Sequence, residues 1–363
     1  MDRNQEKKLM RRAVALARRA RPSPNPPVGA LIVKRGKVIA AGFHARAGED
    51  HAEIAALKAA GPKAAGAELI VTLEPCHLHG RTPPCTDAII KAKIRKVHVG
   101  TLDPSPAENG KSAALLERAG LKVSVEEGRE QALCRELIEP WRAFITTHLP
   151  FVRLKAAVSV DGKIAAAGGD AKWISGKASR KETHRLRSQH DAVMVGVRTL
   201  LKDDPRLTVR DVPFKGENPV RVIVDSHLRT PTHCNAVQGA GEVPTIVAFV
   251  EGDGRRLERL GVRTIKCRSR DGRVSLDDLL KKLGRLSITS VLVEGGGGLI
   301  TSFLDRKLAD AITLFIAPII VGGTRSTCLA SGRDIDKINK ALRIRDVKHG
   351  RLGDDIMLSG RLR

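Results

Sequence analysis

"TLEPCHLHGRTPPC", Thr72–Cys85, holds two cysteines and two histidines in one short stretch. All four side chains can ligate a metal. Upstream lies "HAE", His51 to Glu53, opening a helix-like run "HAEIAALKAA" that Gly61-Pro62 ends. Further upstream, "VGALIVKRGKVIAAG", residues 28–42, reads as two strands around the turn "KRGK". Downstream, "AELIVTLEP" and "KVHVGTLDP" read as strands, "CTDAIIKAKI" and "SAALLERAG" as helices, and "LKVSVEE" as a further strand. Strands alternating with helices predict a layered α/β/α domain over residues 1–147.

"EPWRAFITTHLPFVRLKAAVSVDGKI" marks a change, with Pro140 and Pro150 flanking a short segment before a new strand near Phe151. The α/β alternation then restarts through "DAVMVGVRTLL", "PVRVIVDS", "PTIVAFV", "ITSVLVEGGGGLITSFLDRKL" and "AITLFIAPIIVGG". A second α/β domain is expected over 148–363, and no internal repeat relates it to the first.

Composition narrows the function. The chain has 363 residues and a net charge of +24, with no Tyr, seven Phe and two Trp. The first 150 residues hold 25 Lys and Arg against 16 Asp and Glu, so the excess is spread over both halves. A binder that stacks single-stranded bases on aromatics needs more rings. A basic surface with phosphate-bearing ligands is expected, with neither a nucleic-acid nor a membrane partner. The basic start, "MDRNQEKKLMRRAVALARRARPSP", lacks the apolar core of a secretory signal, and Leu9, Ala13, Leu16 and Ala17 recur at helical spacing. A cytoplasmic protein is expected. Six cysteines in a chain of this length do not make a disulfide scaffold, and only Cys76 and Cys85 form a local pair.

His-x-Glu at a helix start, followed by Pro-Cys and a second Cys, is the arrangement of the zinc deaminases. Zinc favours N and S donors, and a catalytic site leaves one position open for water. His51, Cys76 and Cys85 would fill three positions, while Glu53, free of the metal, could move the proton from water to the departing amine. The nine-residue step between the cysteines departs from the simplest CxxC pattern. In the second half there is no GxGxxG and no P-loop; "VLVEGGGGLITSF" instead runs from a buried strand through glycines into a helix, a moderate signal for a dinucleotide.

"PNPPVGALIV", "HAE" and "TLEPC…HGRTPPC", in this order, resemble the deaminase half of the RibD family of bifunctional riboflavin-biosynthesis proteins. "VRLKAAVSVDGKIA", "KWIS", "HRLRSQHDAVMVGVRTLLKDDPRLTVR" and "VIVDS" resemble its reductase half, so the likeness spans nearly the whole chain. It implies a cytidine-deaminase-like domain followed by a dihydrofolate-reductase-like domain. It implies a zinc ion on His51, Cys76 and Cys85, and Glu53 as proton shuttle. Asn25 and His44 match positions that bind the pyrimidine substrate. In the second half, Ala157, Trp173, Thr199, Asp203, Ser226 and Gly295 to Gly297 would line an NADPH site. Arg187, Leu207, Arg210 and Glu294 would face the substrate, the arginines suiting a ribose phosphate. Lys155 and Asp204 are candidates for protonating the sugar.

The resemblance implies hydrolytic deamination of 2,5-diamino-6-ribosylamino-4(3H)-pyrimidinone 5′-phosphate, then NADPH-dependent reduction of the ribosyl chain to give 5-amino-6-ribitylamino-uracil 5′-phosphate. A homo-oligomer is expected. Alternatives are a nucleic-acid deaminase with a basic appendage, a purely structural zinc protein, or a chain with one active domain. The family pattern "PCSHxGRTPPC" is broken here by His77, Leu78 and His79, "AGGPHAE" becomes "AGEDHAE" with Glu49 and Asp50, "AENGKS" replaces a glycine-rich run, and Ala171 stands where serine is usual. His77 and His79 are expected to lie in the loop that shapes the pyrimidine pocket rather than on the metal.

Overall fold

The computed structural model of the protein describes residues 2–79, 83–106, 108–214, 216–332 and 334–362. Gly80, Arg81 and Thr82 of the cysteine-rich stretch lie outside the described residues. The chain divides into two compact units, Met1–His148 and Leu149–Arg363.

In the first unit, the elements run α1 (Arg3–Ala17), β1 (Gly29–Lys34), β2 (Lys37–Phe43), α2 (Ala52–Ala60), β3 (Glu68–Val71), α3 (Cys85–Lys91), β4 (Lys96–Val99), α4 (Lys111–Arg118), β5 (Lys122–Val125), α5 (Gly128–Leu137) and α6 (Glu139–Thr147). The strands form one sheet in the order β2-β1-β3-β4-β5. β1 is antiparallel to both neighbours, and β3, β4 and β5 are parallel. The uninterrupted apolar run of β1 follows from burial on both faces. Ala30 and Ile32 face a core with Ala52, Ala56 and Ile89 of α2 and α3. Leu31 and Val33 face a separate core with Met10, Ala13 and Cys134 of α1 and α5. Helix α6 occupies what reads from sequence as a proline-flanked segment: Pro140 sits in the first turn, where its missing N–H costs nothing.

The second unit comprises β6 (Phe151–Ser159), β7 (Lys163–Ala165), α7 (Lys177–Ser188), β8 (Ala192–Gly196), α8 (Val197–Asp203), β9 (Val220–Val224), α9 (Asn235–Gln238), β10 (Thr245–Phe249), α10 (Arg255–Glu258), β11 (Arg263–Lys266), β12 (Ser269–Arg270), β13 (Arg273–Val274), α11 (Leu276–Arg285), β14 (Ser290–Val293), α12 (Gly297–Asp305), β15 (Ala311–Ala317), β16 (Thr327–Cys328), β17 (Arg345–Leu352) and β18 (Asp355–Arg361). Its main sheet has the order β11-β10-β9-β8-β14-β6-β15-β18-β17. It is parallel from β11 to β15, and the β17–β18 hairpin is added antiparallel at one edge. Both faces are again covered: Leu279, Leu283, Ile300 and Phe303 of α11 and α12 pack on one, and Leu186, Leu200 and Val237 of α7, α8 and α9 on the other. Among the described residues, no helix is long and apolar enough to cross a membrane.

One close contact sets the position of α2. A Cβ built on Gly42 of β2 would lie 2.4 Å from the Ala52 carbonyl oxygen and 2.5 Å from the Ala56 nitrogen. Only hydrogen fits there, so the helix backbone rests directly on the strand. Overpacking of this kind costs about 1–3 kcal/mol. Gly42→Ala is therefore expected to destabilise the first unit by about 1–3 kcal/mol and to displace the start of α2, with hydrogen–deuterium exchange showing faster exchange in α2 and β2 and unchanged exchange in the second unit.

Candidate active sites

Three segments meet at the first site. His51 is the N-cap of α2, with extended backbone, so its ring stands off the helix end while Glu53 enters the first turn. Cys85 opens α3. Cys76 follows β3 in a loop, and both its groups face the start of α3: Cys76 Sγ accepts from the Cys85 N–H at 3.5 Å, and its carbonyl from the Thr86 N–H at 3.2 Å. His51 Nδ1 lies 3.3 Å from Cys85 Sγ and 3.5 Å from Cys76 Sγ, and the three donor atoms are within 4.8 Å of one another. Tetrahedral zinc with Zn–S near 2.3 Å and Zn–N near 2.0 Å places N and S ligands about 3.5 Å apart. The observed spacing and the soft donor set fit zinc with a fourth position to spare.

The electrostatics suit a cation. Hydrogen bonding from Cys85 holds the Cys76 thiol down at about 4. Cys85, which donates to it and is buried, is pushed up. Glu53 is 4% exposed, and burial pushes its carboxyl up to about 7. Hydrogen bonding to Cys76 raises His51.

Asn25 and His44 are brought together beside the cluster. Asn25 Nδ2 is 3.0 Å from His44 Nε2, and His44 Nδ1 is 3.0 Å from the Asp50 carbonyl. The amide can only donate to Nε2 and the carbonyl can only accept, so His44 is a neutral ring with its proton on Nδ1. Burial lowers its pKa in agreement. Its ring meets that of His51 edge-on at 5.2 Å. Asp50, one of the two added acids, has its carboxylate on Lys58 at 2.6 Å.

In the second unit, Thr199 and Asp203 follow the carboxyl end of β8, Ser226 that of β9 and Gly295 to Gly297 that of β14, and these strands with β6 are consecutive in the sheet. Ligands of open parallel sheets bind at such ends. Gly295 to Gly297 leave β14 and start α12, and the Gly296 N–H donates to Thr199 Oγ1 at 3.2 Å. A Cβ on Gly297 would lie 2.7 Å from the Cys328 carbonyl oxygen, so a side chain is barred there. Asp203 lies 3.5 Å from Lys172 Nζ. Trp173 is 70% exposed, with the Arg180 guanidinium 4.6 Å from its ring centroid. Ser226 follows β9, and its hydroxyl accepts the Val274 N–H. Ala157 lies near the end of β6, among residues packing on the α7–α9 side.

The substrate residues are tied to one another. Arg187 of α7 donates from Nε and Nη2 to the two oxygens of Glu294, at 2.6 and 2.9 Å, and from Nη1 to the Thr208 carbonyl at 2.9 Å. The Arg187 and Glu294 side chains are 10% and 9% exposed. Arg187 is therefore not the free anion-binding fork expected from the sequence, because a buried carboxylate already occupies it. Arg210 is the exposed member, with Nη1 on Thr208 Oγ1 at 2.8 Å. Leu207 is buried in the core with φ of 53°, so its backbone shapes the segment while its side chain packs away from solvent. Lys155 of β6 has its Nζ 5.6 Å from the centroid of the Phe315 ring; burial lowers its pKa, with Glu294 acting in the opposite direction. The structure gives Asp204 a different neighbour from Lys155. It ends α8 in a left-handed conformation, and its carboxylate takes two hydrogen bonds from Asn235, both at 2.8 Å.

Some contributors were not apparent from sequence. His184, one turn before Arg187, accepts the Arg210 N–H on Nδ1 at 3.1 Å and so holds the substrate segment. Glu74, read from sequence as the end of a strand, is 4% exposed and takes backbone N–H groups from the 103–113 segment. Position in the "HRLR" motif could have pointed to His184. Nothing local pointed to the partners of Glu74.

Comparison with known proteins agrees with both halves. Residues 3–101 match the model of the cytidine and deoxycytidylate deaminase zinc-binding region, and residues 150–358 that of the RibD C-terminal domain. The chain is 43% identical to the riboflavin biosynthesis protein RibD of Aquifex aeolicus, over 99% of each chain, and 37% identical to that of Escherichia coli over 98% of each. Among solved structures it is similar to Acinetobacter baumannii RibD, with a TM-score of 0.85 and 34% identity over 99% of both chains. With two family models covering its two halves and relatives aligned from end to end, the chain belongs to the RibD family, the bifunctional deaminase/reductases of riboflavin biosynthesis.

Proposed function

We propose that the first unit deaminates 2,5-diamino-6-ribosylamino-4(3H)-pyrimidinone 5′-phosphate and that the second reduces the ribosyl chain of the product. The observation that carries the first half is the convergence of His51, Cys76 and Cys85 in front of the buried Glu53. The three residues would hold zinc, which when bound would supply a Lewis acid that makes water a nucleophile at neutral pH. Glu53 takes a proton from the attacking water on a carboxylate oxygen and returns it to the departing amine. Ammonia leaves, and the ring keeps a carbonyl oxygen in its place. Neutral His44, its Nδ1 proton held by the Asp50 carbonyl, and Asn25 line the pyrimidine side.

In the second unit, Thr199, Asp203, Ser226, Trp173, Ala157 and the Gly295–Gly297 turn form the NADPH site. NADPH, when bound, supplies the hydride that reduces C1′. Lys155 holds the proton the opened sugar needs. Burial lowers its pKa and so makes its ammonium a better donor than a surface lysine, while Glu294 acts in the opposite direction. The Asn235 contacts of Asp204 leave that residue a structural role at the end of α8. Arg210 is the phosphate ligand, and Arg187 is the residue that orients Glu294. The reading includes a cytoplasmic enzyme and a homo-oligomer, and no nucleic-acid or membrane partner. The oligomer is supported by edge strand β17, which leaves Val347 exposed, and by exposed Ile338 and Leu342 just before it.

Two experiments test these roles. Glu53→Gln should lower ammonia release by about 10²–10⁴-fold while retaining the zinc content of the wild type; unchanged ammonia release would remove Glu53 as shuttle. Stripping zinc with a chelator should abolish ammonia release and leave NADPH oxidation with the deaminated substrate intact. The arginines should differ in kind. Arg210→Ala should raise the substrate KM about tenfold with kcat little changed, the loss of one charge-assisted contact. Arg187→Ala should instead depress kcat, because it leaves Glu294 unpaired beside Lys155. Steady-state reductase kinetics separate the two.

A further inference from the structure

Cys76 differs from the other two proposed ligands in lying on a loop, while His51 and Cys85 sit at helix starts. Its own sulfur and carbonyl accept N–H groups from α3, and the residues on either side of it, Glu74 and His77, are both bonded to one further segment that runs from Asp103 to Ala113. Two positions before it, Glu74 accepts four backbone N–H groups of that segment. Oε2 takes those of Asp103 and Gly110, at 3.1 and 2.9 Å, and Oε1 those of Ser112 and Ala113, at 3.1 and 3.2 Å. Three of these donors belong to the N-terminal turn of α4, where a carboxylate is favoured by otherwise unpaired N–H groups.

One position after Cys76 the traffic runs the other way. Glu108, from the same segment, accepts on Oε2 both the His77 backbone N–H at 3.2 Å and the His77 Nδ1 at 2.6 Å. The two side chains are 16% and 14% exposed. A carboxylate thus crosses in each direction, with Cys76 between the two anchor points. His77 stands where the family pattern has serine, and Glu108 lies in "AENGKS", where the pattern is richer in glycine. Two departures that look unrelated in the sequence are in contact.

We propose that His77 and Glu108 are a positioning pair for the deaminase site. With Glu74 they clamp the Cys76 loop onto the start of α4, so that Cys76 Sγ stays in register with His51 and Cys85. Neither residue touches the reacting atoms; both act through Cys76. This rests on the reading of the first unit as a zinc deaminase.

The test is a double-variant cycle in the full-length zinc-loaded chain, with three readouts: transfer of zinc to a chromophoric chelator, kcat and KM for ammonia release, and NADPH oxidation with the deaminated substrate. Glu108→Ala and His77→Ala should each speed zinc transfer and lower deaminase kcat by about tenfold, the scale of one charge-assisted hydrogen bond. KM should stay within about twofold, because the His77 ring is engaged by Glu108 instead of facing the pyrimidine pocket expected of its loop, and the proposed substrate contacts are Asn25 and His44. The double variant should be no worse than the poorer single one, because the two residues act as one unit. Glu108→Gln, which keeps an oxygen for both His77 donors, should recover most of the loss, and NADPH oxidation should be unchanged throughout. Fully additive effects, unaltered zinc transfer in Glu108→Ala, or an equal fall in reductase turnover would overturn the pair. A wild-type chain that binds zinc but releases no ammonia would instead overturn the deaminase reading, and the zinc-transfer cycle would still decide the clamp.

Discussion

Two sulfurs and one imidazole must be held about 3.5 Å apart to share a zinc ion, and the architecture of the first unit follows from that demand. His51 and Cys85 are placed by the first turns of α2 and α3, which pack on the same face of the sheet. Helix α2 is seated by direct backbone contact with Gly42. The third donor lies beyond the end of β3 on a loop; its sulfur and carbonyl accept N–H groups from the first turn of α3, and carboxylate contacts to the 103–113 segment flank it. The site therefore has two donors fixed by packing and one fixed by polar contacts. That division explains why so many buried carboxylate contacts gather around a single loop.

The second unit meets a different constraint. A parallel sheet covered on both faces leaves its carboxyl ends as the place where a ligand can reach the backbone. Four adjacent strands, β9, β8, β14 and β6, present their ends or nearby residues to that region. Inside it lies one buried ion pair, Arg187 with Glu294, next to Lys155. Burying the pair is tolerable because both carboxylate oxygens and a third arginine donor are satisfied. It also sets the charge seen by Lys155, on which Glu294 and Arg187 act in opposite directions.

Much of this was legible in the sequence. The strand and helix alternation of both halves could be read from apolar periodicity, because sheets buried on both faces carry continuous apolar runs and their helices carry one stripe. His51, Glu53, Cys76 and Cys85 stood out because zinc restricts donor types sharply and two of them sit at helix starts. Less could be read near Pro140, where a proline that suggests a break instead begins α6, and at the β17–β18 edge, whose largely exposed residues lack a clear pattern. Arg210 and Arg187 look alike in sequence. They differ only in what surrounds them after folding.

The sequence by itself determined the residue types, their local spacing and the family, and hence the proposed metal donors, the proposed shuttle and the glycine turn. Those features depend on short stretches whose chemistry is nearly the same in any context. The tertiary structure alone decided which charges pair. Glu294 takes Arg187 across 107 positions, Asp204 takes Asn235 across 31, and Glu108 takes His77 across 31. A carboxylate is satisfied by whichever donor the fold brings within about 3 Å, and no local pattern encodes which donor that will be.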